Sequence, residues 1–302
     1  VAEILTAGGV AVTVYDRMPS VGRKILIAGR GGLNLTHSEH IDVFLTRYGS
    51  ALARLRPALE AFPPSALIDW ANTLGANTFT GSSGRIFPKA MKASPLLRAW
   101  LDRLNRQSVQ FRLRHDWRGW SDGALRFQSP DGDVADAPDV TVLALGGASW
   151  PRLGADGGWT TLLQEKGVEI APLRPANMGF NVGWSEFFRT RFAGQPLKNV
   201  TLRFGGHTTR GDAMITRYGI EGGAVYALSS ALREALAITN PITLDIDLRP
   251  DLSQQQIASR LARPQGKESR ANYLRKSIGL SPMETNLLRE TSTPPERLKS
   301  IA

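Results

Sequence analysis

The sequence predicts a doubly wound α/β domain followed by a second domain of short strands and then helices. Three observations carry this reading. Val1 to Ala7 forms a short apolar helix that ends at Gly8-Gly9 and feeds a β-branched run, Val10 to Tyr15, reaching Asp16. Asp139 to Leu145 (DVTVLAL) is a second continuous apolar run, and it enters directly into Gly146-Gly147. Strands buried on both faces of a parallel sheet read as such uninterrupted runs, and a helix ahead of the first implies a still earlier strand. After Pro151 the pattern changes, with Pro172, Pro175 and Pro196 punctuating short strand candidates. The boundary is placed so that residues 1–172 form the first domain and 173–302 the second.

Between the two apolar runs the elements follow in order. A glycine-rich basic loop spans Gly22 to Gly32, then helices are expected over Ile41 to Leu59 and Pro64 to Leu74. Short strands near Asn77 to Thr80 and Arg85 to Pro88 lead to a helix over Ser94 to Arg106. Val109 to Arg114, Trp117 to Ser121 and Leu125 to Gln128 read as a meander, with turns at Asp122-Gly123 and Asp131-Gly132. In the second domain Thr201 to Phe204, Ala213 to Thr216 and Ile242 to Ile246 are the best strands. From Ser253 to Ile301 the pattern is helical in three segments, broken at Gln265-Gly266, Ser281-Pro282 and Pro294-Pro295.

Bulk composition narrows the function. The 302 residues are 42% hydrophobic and 21% charged, a globular balance. No stretch supplies the ~20 apolar residues of a bilayer span, so no membrane partner is expected. The opening residues VAEILTAGG have neither a basic region nor a cleavage site, which predicts a cytoplasmic protein. The absence of cysteine excludes disulfides, thiolate metal sites and a cysteine nucleophile, so any redox chemistry must come from a bound cofactor. The charge of +10 would suit a polyanion, but the arginines from Arg17 to Arg297 stand singly, without a Lys/Arg run. The expectation is therefore no nucleic-acid partner, the excess cations serving solubility and the attraction of anionic cofactors.

Asp16 ends the strand that follows the first helix, where a dinucleotide-binding unit places the acid that accepts hydrogen bonds from adenosine ribose. An acid at a strand end is equally a turn residue. The next segment, GRKILIAGRGGLNLTHSE from Gly22 to Glu39, sets Arg23 and Lys24 beside a loop whose amides can form an anion nest. Gly146-Gly147 at the end of an apolar run lets backbone approach a ligand that a side chain would block. His37, Glu39 and His40 lie close in sequence, yet at a helix start they read as capping groups rather than metal ligands, and no metal is expected. No nucleophile-base pattern stands out, so the catalytic residues are unassigned. Arg217 and Tyr218 are candidates to face substrate, or simply surface residues.

On the Gly22 to Glu39 stretch the chain closely resembles the bacterial flavoproteins of the BaiN (YhiN) kind, relatives of aminoacetone oxidase. Two further segments agree: VLALGGASWPRLGADGGW, Val142 to Trp159, and MITRYGIEGGAVYALS, Met214 to Ser229. Leu145 and Trp150 are mild departures from the family's Ala-Thr-Gly-Gly-x-Ser-Tyr-Pro signature. The resemblance implies a Rossmann-like FAD-binding domain with an inserted mixed β-barrel/helical substrate domain. It also implies an FAD-dependent oxidoreductase acting on a small organic substrate, with NAD(P)H as the partner that supplies electrons. Carried over by position, the cofactor contacts are Asp16, Arg23, Lys24, Gly29, Gly31, Gly32 and Asn34, with Gly146 and Gly147. RHDWRGW aligns where the family's backbone meets adenine, at Trp117, which reads equally well as plain core. Family members open with a strand and a Gly-x-Gly-x-x-Gly loop and close with a Gly-Glu and Gly-Gly-Tyr segment. The sequence given is accordingly expected to be truncated at both ends. The alternative is a non-catalytic remnant acting at most as a binding module.

Overall fold

In the computed structural model, which describes residues 1–28 and 32–290, the opening apolar hexapeptide is helical (α1, Ala2–Ala7) and closes on Gly8. The strand β1, Thr13–Asp16, follows as expected. The loop expected from Gly22 begins instead as a helix, α2, Arg23–Ala28. Arg, Lys, Leu and Ala carry little helix penalty. Ile25 also gains by packing into a cluster built on Leu33, Ala71, Ala93 and Leu96.

After β2, Thr36–His37, the long helix expected over Ile41 to Leu59 is broken into α3, Ile41–Thr46, a 3-10 turn at Gly49–Ala51, and α4, Leu52–Ala61. Gly49 and Ser50 are weak helix formers in the middle of that span. Helix α5, Pro64–Thr73, starts on a proline whose missing N–H costs nothing in the first turn. Strands β3, Thr78–Thr80, and β4, Arg85–Pro88, then complete an antiparallel sheet in the order β2-β4-β3. Helix α6, Ala93–Arg106, is tied to α1 and α5 through one carboxylate. Glu3 accepts hydrogen bonds from Trp70 Nε1 at 3.0 Å, Trp100 Nε1 at 2.8 Å and Arg103 Nη1 at 2.8 Å.

The strand expected first in the meander belongs elsewhere. It is β5, Gln110–Leu113, and it pairs in parallel with β1 from Thr13↔Gln110 to Asp16↔Leu113. A parallel pair joined by a long helical crossover is the α/β construction the sequence predicts. The meander itself is β6, Asp116–Ser121, β7, Ala124–Ser129, and β8, Gly132–Asp136. Leu125 and Phe127 alternate inward along β7.

Asp139 to Leu145 is not a buried strand. No ladder forms there, and Val140, Val142 and Leu143 are 79%, 54% and 40% exposed. An apolar run becomes a central strand only where neighbours supply both edges. Among the described residues none does. Helix α7, Trp159–Gln164, follows a tight loop.

The chain divides into two compact units, Val1–Leu173 and Arg174–Ala302. The second begins with β9, Phe180–Asn181, and α8, Glu186–Phe192. The strands expected at Thr201 and Ala213 are parts of two nine-residue strands, β10, Pro196–Phe204, and β11, His207–Ile215. Gly205-Gly206, with φ of 54° and 81°, makes the two-residue turn between them. Strand β12, Gly219–Glu221, helix α9, Gly223–Leu236, and strand β13, Asp245–Asp247, follow. The sheet order is β13-β10-β11-β12-β9, with every pairing antiparallel. Among the described residues this is an open sheet rather than a closed barrel, because its outer members are only two and three residues long. Leu197, Val200, Leu202 and Ile215 from the hairpin are fully buried against Val225, Leu228 and Leu232 of α9, with Phe188 and Phe192 of α8.

Helices α10, Gln254–Leu261, α11, Arg270–Ile278, and α12, Pro282–Glu290, match the expected segments. A capping box of Ser253 and Gln256 opens α10. The expected break at Pro294-Pro295 lies outside the described residues. Among those residues no helix is long and apolar enough to cross a membrane.

Candidate cofactor site

The carboxyl end of β1 gathers the charged residues. Asp16 Oδ1 accepts the Met18 N–H at 2.8 Å, so one carboxylate oxygen shapes the turn and the other has no protein donor among the described residues. The backbone of Arg114 and His115 lies alongside, donating to Met18 O at 3.2 Å and Asp16 O at 3.1 Å. Arg17 reaches Asp156, Nη2 to Oδ2, at 2.8 Å. The Gly158 N–H and then Arg17 hold the Asp156 carboxyl below its ordinary range.

A second tie reaches the same segment. Lys24 Nζ donates to Ser149 Oγ at 2.7 Å, while Arg23 Nε donates to Ser20 Oγ at 3.0 Å. The segment closes on itself through paired hydrogen bonds of Trp150 and Ala155, each 3.1 Å. Gly154 sits at φ 91°, and a Cβ there would stand 2.9 Å from Met18 Cγ. The loop after the glycine pair is thus fastened to the end of β1 by an ion pair and a close contact, and to α2 by a hydrogen bond. Trp159 Nε1 donates to Gly146 O at 3.1 Å. Among the described residues a Cβ on Gly146 or Gly147 would meet nothing within 4 Å.

The structure therefore brings the segment Ser149 to Asp156, which follows Gly146 and Gly147 in the chain, against Lys24 and against Arg17 and Met18, the residues after Asp16. Among the described residues Gly32 and Asn34 make no bond to that segment. Gly32 lies against Met91 and Phe87, Leu33 N donates to Met91 O at 3.1 Å, and Asn34 is exposed. Gly29 and Gly31 lie outside the described residues. Trp117 stands on β6, its ring edge-on to Trp120 at 4.7 Å, and its buried Nε1 has no hydrogen-bond partner among the described residues. Such an orphaned donor costs free energy until an acceptor meets it. Arg17, Ser149 and Asp156 were not singled out by sequence reasoning. Arg17 follows the strand-end acid directly, and Asp156 follows a Gly-Ala step after the glycine pair, so the signal was present without the pairing.

The histidine group has local roles. His37 Nε2 meets Ser83 O at 3.0 Å, and His40 caps α3 by accepting from Asp42 N. Glu39 is engaged by both guanidinium ends of Arg47, which hold its carboxyl below the usual range. In the second unit Tyr218 is 73% exposed.

The family described as HI0933-like protein Rossmann domain matches residues 1–267. A 3-dehydro-bile acid delta(4,6)-reductase of Clostridium scindens is 26% identical over 266 residues, covering 85% of this chain and 63% of that protein. A ribosomal RNA dihydrouridine synthase of Escherichia coli is 24% identical over 255 residues, 83% of this chain and 62% of that protein. Its counterpart in Haemophilus influenzae is 23% identical over 274 residues, 89% and 65%. The chain thus spans less than two thirds of the length of these curated relatives. With a parallel strand pair, a strand-end acid and a glycine pair tied to it, the chain belongs to the HI0933-like Rossmann family, flavoproteins of the BaiN (YhiN) kind.

Proposed function

We propose that the protein is an FAD-dependent oxidoreductase that exchanges hydride between flavin and a small organic substrate, with NAD(P)H as the electron donor. The observation that supports this most is the double fastening of the Gly146 to Asp156 segment to β1 and α2, through Arg17–Asp156 and Lys24–Ser149. These ties support a reading in which Asp16, Arg23, Lys24 and the backbone of Gly146 and Gly147 serve one ligand. That donor set fits a dinucleotide. The free oxygen of Asp16 is suited to ribose hydroxyls, and Arg23 and Lys24 to pyrophosphate, while Gly146 and Gly147 leave room for a flat ring. The unpartnered indole N–H of Trp117 offers a further donor to an acceptor atom. FAD, when bound, supplies the hydride-carrying ring, and the protein's part is to bind, orient and exclude water. In this reading residues 1–172 hold FAD and 173–302 form the inserted, substrate-side domain.

Titration with FAD tests the proposal directly. Uptake of flavin that is then bleached by NADH or NADPH under anaerobic conditions is the expected result. A protein that purifies colourless and takes up no flavin overturns it, and leaves the binding-module alternative in its place. A second reading concerns the substrate alone. Two of the relatives carry ribosomal RNA in their names, and the net charge here is +10, which supports an RNA-borne base as the second candidate substrate.

A further inference from the structure

The arginines that stand singly along the sequence concentrate at one place in the second unit. From Arg260 to Lys276 the chain carries Arg260, Arg263, Lys267, Arg270, Arg275 and Lys276 against one acid, Glu268. All six cations are exposed. They occupy the end of α10, the turn after it and α11, and the fold fixes this hairpin from beneath. Ile257 and Leu274 are buried, and Tyr273 OH donates to the carbonyl of Leu261 and, at 3.0 Å, to that of Arg263. The Arg263 guanidinium stands 5.1 Å over the Tyr273 ring.

Glu268 Oε1 takes both Arg263 and Lys276 at 3.3 Å. Among the described residues no carboxylate pairs with Arg260, Lys267, Arg270 or Arg275. All four are exposed, so packing does not require them. Gln255, Gln256 and Ser259 on α10 and Asn272 on α11 add exposed hydrogen-bond donors to the same two helices. No large hydrophobic residue is exposed among the described residues after Ile238, so the surface has nothing to insert into a bilayer.

We propose that the α10–α11 hairpin is a docking surface for the phosphodiester backbone of single-stranded RNA. Spaced, unneutralised cations with polar donors on the same helices and no apolar anchor match a polyanion that displays a charge at every residue. The proposal deepens the RNA reading of the substrate, and it departs from the expectation of no nucleic-acid partner, which considered linear runs only.

The test is binding of a fluorescent single-stranded RNA to the protein over a series of salt concentrations, without turnover. If four phosphates are met, log K falls against log salt with a slope of about −3. The double variant Lys267→Glu/Arg270→Glu removes two unpaired cations. It is expected to weaken binding by about 25-fold at 0.1 M salt and to reduce the slope by about 1.4. The control Arg54→Glu/Arg106→Glu makes the same change in net charge on exposed residues of the first unit, and is expected to leave both values near those of the parent. Circular dichroism and the thermal midpoint report folding of both variants. Equal loss in both variants, or no salt-dependent binding by the parent, overturns the proposal. So does displacement of the RNA by polyglutamate as readily as by unlabelled RNA of matched charge, which assigns the surface to an acidic protein. Because only binding is read, failure of the substrate reading leaves the docking surface standing.

Discussion

Lys24 Nζ donates to Ser149 Oγ at 2.7 Å and so joins two segments 125 residues apart in the chain. The bond is exposed, which limits its net worth to about 1 kcal/mol for the fold. Its value is in placement: it holds the first turn of α2 beside the segment that begins with the glycine pair. Lys24→Met is therefore expected to raise the FAD dissociation constant about tenfold, by removing a phosphate-neutralising charge and the tie together. Ser149→Ala, which removes only the tie, should cost about threefold or less. Flavin fluorescence titration measures both. Parent-like affinity in Lys24→Met would remove Lys24 from the site.

Glu3 lies in the first turn of α1 and is a structural hub rather than a surface acid. Burial pushes its carboxyl up, but the N–H groups of Arg103, Trp70 and Trp100 outweigh this and hold it below the ordinary 4.5. A depressed carboxyl contributes stability that is fully present above the unfolded value and is lost as pH falls through the folded one. Stability should thus decline below about pH 4.5. Glu3→Ala leaves two indole N–H groups unpaired and is expected to cost about 1–3 kcal/mol at pH 7. Urea denaturation checks this, and an unchanged midpoint would show the three donors finding water instead.

These two sites show what the sequence made legible. The strand ending on Asp16 and the glycine pair at Gly146 are local patterns, and both could be placed from residue order alone. The ties between them could not, because Lys24–Ser149 and Arg17–Asp156 are long-range pairs that residue type does not announce. The meander reading misplaced Val109 to Arg114 for the same reason: a four-residue strand pairs with whatever edge the fold brings, here β1. Helix α2 was read as loop because glycines on either side of RKILIA outweighed its own propensity. In the DVTVLAL run the composition was right for a buried strand, but burial depends on neighbours that composition does not encode.

Tyr15 predicts an alkaline limit for the first unit. Its hydroxyl donates to Asp136 Oδ2 at 2.8 Å, and its ring stacks on Phe127 at 4.1 Å. Burial first, then the hydrogen bond to Asp136 and its charge, push the phenol up to about 12, with Arg112 pulling the other way. The raised value means that the unfolded chain loses this proton first. The contribution to stability is complete below about pH 10 and disappears as pH rises toward 12. The difference between ultraviolet titrations of the parent and Tyr15→Phe should have its midpoint near 12. A midpoint near 10 would mean that the bond to Asp136 does not hold in solution.

Arg249 and Glu284 supply the corresponding test in the second unit. The guanidinium donates to Glu284 Oε1 and Oε2 at 2.8 and 2.9 Å and to Ile278 O at 2.7 Å. Ser281 N gives the carboxylate a third donor at 2.7 Å, and the acid is only 7% exposed. Burial pushes its carboxyl up, yet Arg249 and Ser281 together bring it below the ordinary range, so this pair too weakens as pH falls. Removing one member strands a buried charge or donor set, which costs about 3–5 kcal/mol, whereas removing both strands neither. Arg249→Met and Glu284→Leu are each expected to fall in that range, and the double variant to cost clearly less than their sum. Urea denaturation of the four proteins at pH 7 closes the cycle. Additive losses would mean that the two side chains stabilise the helices independently, and that the pairing carries none of the energy.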